Sequence, residues 1–412
     1  MLKGHNMKIV LLPLEGRSPA YWLLLGGLLL LTAFGLWSAW MMWVHGHILS
    51  GMSNRIVWGL PHVFAVFLIV AASGALNVAS MSTVFGKTAY KPLAPLSGLL
   101  AIALLMGGLA VLLLDLGRPD RLIIAMTYYN FKSIFAWNVI LYTGFMVLVM
   151  AYLWTLMERR MNAWSSWVGH SAFVWRLLLT TGTGSIFGFL IARQAFGSAL
   201  LGPMFIAYSL SYGTAVFLLV LLAISRWNAQ PLAPDMLARL VRLQVIFVIC
   251  AAYFVLVYHL TNLYFAKQHG LERFLLLDGG IYTALFWLGQ MLLGSLLPIA
   301  LLLHPRSRGS HTGVAVAALL VVAGGLSQMY VTIIGSQAFP LQIFPGFVYS
   351  STFGDGVVAA YTPVFLEWLL GVGGVAIAGV IVLLALKLLN FLPQRLDQFP
   401  PDSSPSGLAE RH

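Results

Sequence analysis

Asp115 closes an apolar run, and three further charges, Arg118, Asp120 and Arg121, crowd the next six positions. Only 8% of the chain is charged, while 60% is hydrophobic. A carboxylate at the edge of a hydrocarbon span is costly to desolvate and is a functional-site candidate by default. Other ionisable, amide and phenol groups sit in the matching ends of apolar runs: His62, Arg193 with Gln194, His259 with Asn262, Gln328 with Tyr330, and Glu367. Together they suit an amphipathic quinone headgroup that enters from the bilayer. Its carbonyl or hydroxyl oxygens want a His, Tyr or Asn partner, and its protons want a carboxylate or imidazole acceptor. Asp115, His62 and Glu367 are the candidates for proton exchange. His62, Arg118, Arg193, Gln194, His259 and Tyr330 are the candidates for contact with the headgroup.

Taken singly, each has an ordinary explanation. His62 and His259 could be packing or interfacial histidines. Asp115 could pair with Arg118 or Arg121, and Glu367 could cap a helix N-terminus. Arg193, Lys132 and Lys387 could snorkel to headgroups, and Asn138, Gln244 and Gln290 could bond neighbouring helices. The one-sided distribution is what argues for chemistry.

These groups need long helices to place them. A mean hydropathy of +0.90 over 412 residues implies an all-α integral membrane protein. The apolar runs are too long for barrel strands, and helices satisfy their own backbone bonds. Ten spans are expected: Ala20–Val44, Val57–Ala79, Ala94–Leu116, Ser133–Leu156, Ala172–Ala192, Gly202–Ile224, Leu243–Leu263, Ile281–Leu303, Gly313–Gly335 and Pro363–Leu389. This divides the chain into an N-terminal segment (1–19), a membrane domain (20–389) and a tail (390–412) whose Pro, Ser and mixed charge read as disordered. The first span is too long for a signal-peptide core, so it stays.

Fifteen Lys and Arg fall on the side of the termini and seven on the other. Both termini are therefore expected in the cytoplasm of a bacterial inner membrane, with the Asp115 motif facing the periplasm. The same spread of basic residues between spans explains the net charge of +11 without nucleic acid. The connection Ser336–Thr362, with Phe339, Phe344, Phe347, Tyr349, Phe353 and Tyr361 and a single charge at Asp355, reads as a surface for membrane lipid or a partner protein. One cysteine, Cys250, cannot build a disulfide or an Fe–S cluster. A b-type haem between His62 and His259 and a ten-span transporter are the competing readings. However, transporter sites lie near the midplane, which here is nearly free of ionisable groups. Similar openings at 59–64 (GLPHVF) and 202–205 (GPMF) hint at a duplicated four-helix unit, though Gly-Pro is also ordinary helix-start chemistry.

Four segments resemble the NrfD/polysulfide-reductase membrane-subunit family: DLGRPDR at 115–121, NFKS at 130–133, ARQ at 192–194 ahead of Pro203, and YTPVFLEW at 361–368. The resemblance covers essentially the whole membrane region and points to the ten-span branch. NFKSIFAW at 130–137 and EWLLG at 367–371 are most similar to DsrP, a subunit of a sulfite-reductase-associated complex. The resemblance implies two four-helix bundles, spans two to five and six to nine, with spans one and ten outside. It implies a menaquinone or ubiquinone pocket near His62, Asp115 and Arg193, beside a periplasmic ferredoxin-like Fe–S subunit. In the DsrP branch a b-type cytochrome, a cytoplasmic Fe–S subunit and a multihaem cytochrome c would complete the assembly.

Overall fold

A computed structural model describes residues 11–341, 356–397 and 399. The aromatic stretch with Phe344, Phe347, Tyr349, Phe353 and Asp355 lies outside the described residues.

Ten long helices are found among the described residues: α1 Pro19–His45, α2 Leu60–Thr83, α3 Thr88–Leu114, α4 Ile134–Met157, α5 Ser165–Gly188, α6 Leu201–Trp227, α7 Pro234–Tyr264, α8 Ile281–Leu303, α9 His311–Ala338 and α10 Phe365–Leu388. Among the described residues nine of these are long and apolar enough to cross a membrane. The exception, α5, has the length but carries Arg176 and several Ser, Thr and Gly residues. The protein is thus the all-α, multi-pass membrane protein the composition implies. Helix starts follow local chemistry. Proline occupies the first turn of α1, α2 and α7, where its missing N–H costs nothing.

α2 to α5 form one four-helix bundle and α6 to α9 a second. α2 and α6 join them, α10 lies against α2 and α3, and α1 packs on α10. Burial follows the same order: the apolar window of α2 is 100% buried, that of α1 only 22%. Small residues allow the closest crossings. Gly74 meets Gly213 where α2 crosses α6, leaving no room for a Cβ on either, and Gly107 packs on Gly374 between α3 and α10. Without a hydrophobic drive between helices in lipid, such close backbone packing is a main source of association.

Three features were not expected from sequence. α8 widens to π-type winding over Leu285–Leu296, and α9 does so over Val331–Gly335. Arg176 sits midway along α5 rather than near its start. The tail expected to be disordered from Asn390 is packed over its described part. Leu392–Pro393 (β2) pairs antiparallel with Leu11–Leu12 (β1), and Phe391, Leu392 and Leu396 are buried.

Candidate functional site

The starts of the even-numbered helices and the ends of the odd-numbered ones share one end of the molecule. His62 enters from the first turn of α2, fixed by Gly59 and Pro61, and Asp115 caps the end of α3. Asp115 Oδ2 lies 2.8 Å from His62 Nδ1; the carboxylate is fully buried and the imidazole 15% exposed. The atoms are within ion-pair distance, and among the described residues Asp115 Oδ1 has no hydrogen-bond partner. Buried polar atoms are normally satisfied, so an orphaned carboxylate oxygen calls for a ligand or a proton. Trp58 stacks near His62, with ring centroids 6.2 Å apart, and touches Phe135, Phe187 and Phe196. Phe135 is exposed at the start of α4, so this aromatic wall reaches the lipid-facing surface.

The segment leading into α2 is clamped from three directions. Gln337, at the end of α9, accepts from the backbone N–H groups of Val57 and Trp58 and donates to Trp58 O at 3.0 Å. Arg193 donates to Gln337 O at 2.8 Å and to Arg55 O at 2.7 Å. Partial burial pulls the Arg193 guanidinium below its ordinary range. From α10, the fully buried Glu367 accepts from the N–H groups of Gly51 (3.1 Å) and Val364 (2.9 Å) and from the Tyr361 hydroxyl (2.9 Å). Tyr361 in turn accepts from Leu60 N–H at 2.6 Å. Burial, and then the nearby Glu367 charge, push the Tyr361 phenol well above its ordinary range, so it stays a donor. Glu367 is therefore a helix cap tied to two other segments, with both oxygens occupied. Tyr330 contributes its ring beside Tyr282 and Tyr361.

A second imidazole–carboxylate pair lies in the other bundle. His259 Nδ1 is 2.7 Å from Glu272 Oε2, and Asn262 donates to Glu272 Oε1 at 2.8 Å. Glu272 is fully buried, and Phe286 packs edge-on against the imidazole at 4.7 Å. Beside His259 is a cavity of about 20 Å³ lined by Tyr208, Tyr258, Gln328 and Thr332. That holds a water but not a quinone ring.

Some expected residues stand apart. Arg118 turns outward, 60% exposed, and pairs with Asp120 rather than Asp115. That pairing holds the Asp120 carboxyl below its usual range. It does not bring Arg118 to the pocket. Gln194 instead links the α5–α6 connection to the α7–α8 connection through Lys267 and Gln268. His62 and His259 belong to different bundles and each is turned to its own carboxylate, not paired as axial ligands would be. Glu272, Gln337 and Trp58 were not singled out from sequence, and Tyr361 only as an aromatic of the outer connection and the first residue of a family-like segment. The signal for Glu272 was its rarity, as one of only twelve acidic residues, two positions ahead of the short apolar run 274–277.

This fold and its polar end define a polytopic helical membrane subunit with two buried carboxylate–imidazole pairs. The chain belongs to the polysulphide reductase NrfD family, whose model matches residues 48–341. It is 29% identical to the Hdr-like menaquinol oxidoreductase integral membrane subunit of Archaeoglobus fulgidus, over 93% of this chain and 96% of that one. It is 28% identical to a putative dimethyl sulfoxide reductase membrane subunit of Halobacterium salinarum, covering 93% of each. A selenate reductase subunit of Mesobacillus selenatarsenatis is 24% identical, over 85% of this chain and 89% of that one.

Proposed function

We propose that this protein is the quinone-reactive membrane subunit of a multisubunit oxidoreductase, with His62 and Asp115 as its proton-exchanging pair. The observation that carries this is the buried Asp115 carboxylate, in contact with His62, with one oxygen unpartnered and an aromatic wall leading to lipid. The residues fit the group: an imidazole and a carboxylate for its oxygens and protons, Trp58 and Phe135 for its ring and tail. A bound quinone supplies two-electron, two-proton chemistry. Asp115 holds or releases a proton at Oδ1 and His62 at Nε2, its Nδ1 being turned to Asp115 Oδ2, while Arg193, Gln337, Tyr361 and Glu367 keep the α2 start in place. Menaquinone is the favoured species, supported by the name of the Archaeoglobus relative.

A ferredoxin-like Fe–S subunit docks, in this reading, on the Asp115 end, which faces the periplasm while both termini are cytoplasmic. The resemblance of residues 130–137 and 367–371 to DsrP supports a role in sulfur metabolism. It also supports the wider set of cytochrome and Fe–S partners. A photoreactive menaquinone analogue tests the site. Cross-links should fall on peptides containing Trp58 to His62 or Asp115, and cross-links confined to α7 and α8 would move the site to the second bundle.

A further inference from the structure

An apolar groove at the end opposite Asp115 belongs to neither polar pair. It lies between α1, α3, α6 and α10, holds about 290 Å³, and has Leu24, Leu28, Leu104, Val220, Ala223 and Gly379 among its walls. Leu24 and Trp227 at its lips are exposed, so the groove opens sideways into the bilayer. Along α10 it runs from Val375 to Leu386. At about 1.5 Å per residue this is roughly 16 Å. Half of a hydrocarbon core of about 30 Å is nearly the same length.

The mouth is chemically distinct. Tyr21 donates to Leu383 O at 3.1 Å, and the Lys387 ammonium sits 4.0 Å from the Trp22 ring centroid and 5.1 Å from that of Tyr21. Among the described residues Lys387 has no carboxylate partner. Arg17 and Arg226 are exposed at the same end, with Glu15 the one acid in the 11–17 stretch. Aromatic and basic side chains at this depth mark the headgroup boundary.

We infer that the groove is a binding site for one acyl chain of an anionic phospholipid from the leaflet at that end, its phosphate directed to Lys387. Water gains nothing in so apolar a groove, and an empty one forfeits contacts along its walls. One leaflet's depth with a cation at the mouth fits a phospholipid better than an isoprenoid tail, whose ring would sit at the far end beside His62.

The test is native mass spectrometry with lipid extraction on the full-length protein after a matched detergent wash. Wild type should retain one phospholipid per chain, enriched in anionic headgroups. Gly379→Leu, whose added Cβ first meets the flexible Leu28 side chain, should reduce retention at least about tenfold, with quinone content unchanged. Ala223→Trp, at the exposed lip, should do the same and decides the matter if Gly379→Leu folds poorly. Lys387→Met should keep a lipid but lose the anionic preference. Equal retention in the filled variants, an unchanged headgroup preference in Lys387→Met, or displacement of quinone rather than phospholipid would overturn the assignment.

Discussion

Asp115 and Glu272 are both fully buried beside an imidazole, but only Glu272 has both oxygens engaged. The difference separates a carboxylate with capacity left for a ligand from one whose partners complete it. Glu272→Ala should strip His259 and Asn262 of their acceptor and cost about 1–3 kcal/mol. Glu272→Gln, which keeps one acceptor oxygen, should cost less. Thermal unfolding in detergent separates them, and equal losses would show that the hydrogen bonds contribute little. At this scale Asp115 and His62 were legible because charge is scarce in the chain. The partners of the positioning residues were not. Gln337 meets Trp58 across 279 residues and Glu367 meets Gly51 across 316, distances over which local pattern carries no information.

Helices and their ends do the positioning. The Tyr361–Glu367 contact ties the starts of α2 and α10 together, so Tyr361→Phe should leave Glu367 Oε1 without its phenol donor and Leu60 N–H without its acceptor. Melting should show a loss of about 1–3 kcal/mol. Because the folded-state phenol pKa is raised, this contribution is complete below the ordinary tyrosine pKa of about 10 and fades as pH climbs through the folded value. The difference between wild type and Tyr361→Phe should accordingly be flat from pH 6 to 9 and shrink above that; growth with alkalinity would contradict the assignment. Where α2 crosses α6, Gly213→Ala drives a Cβ into the Gly74 backbone. Backbone cannot yield as a side chain can, so a cost of about 1–3 kcal/mol or more is expected, against little effect for alanine at the uncrowded Gly27. Nine of the ten expected spans and most helix ends were readable from hydropathy and proline; α5 has the length but not the apolar character of a span. The π-type turns of α8 and α9 were not readable, because no residue pattern in those stretches marks them. Pairing of the tail with β1 was hidden for a similar reason: two short segments, more than 370 residues apart, have no individual strand signal.

Across the whole molecule, two four-helix bundles flanked by α1 and α10 collect the polar groups at one end and leave an apolar groove at the other. Arg176, buried midway along α5 against Ser73 and Asn77 where the bundles meet, places a cation between those ends. The proposed orientation can be read by labelling. A cysteine at exposed Arg118 should react with a membrane-impermeant maleimide from the periplasmic side only, with the half-buried Cys250 replaced by alanine as background. Labelling from the cytoplasmic side would invert the topology. The most direct measurement of the central claim is quinone-linked turnover of the purified complex carrying Asp115→Asn or His62→Ala, with assembly and quinone content checked in parallel. Removing a positioned proton-transfer group should lower turnover by about 10²–10⁴-fold in an assembled complex. Wild-type turnover in both variants would place the proton exchange elsewhere.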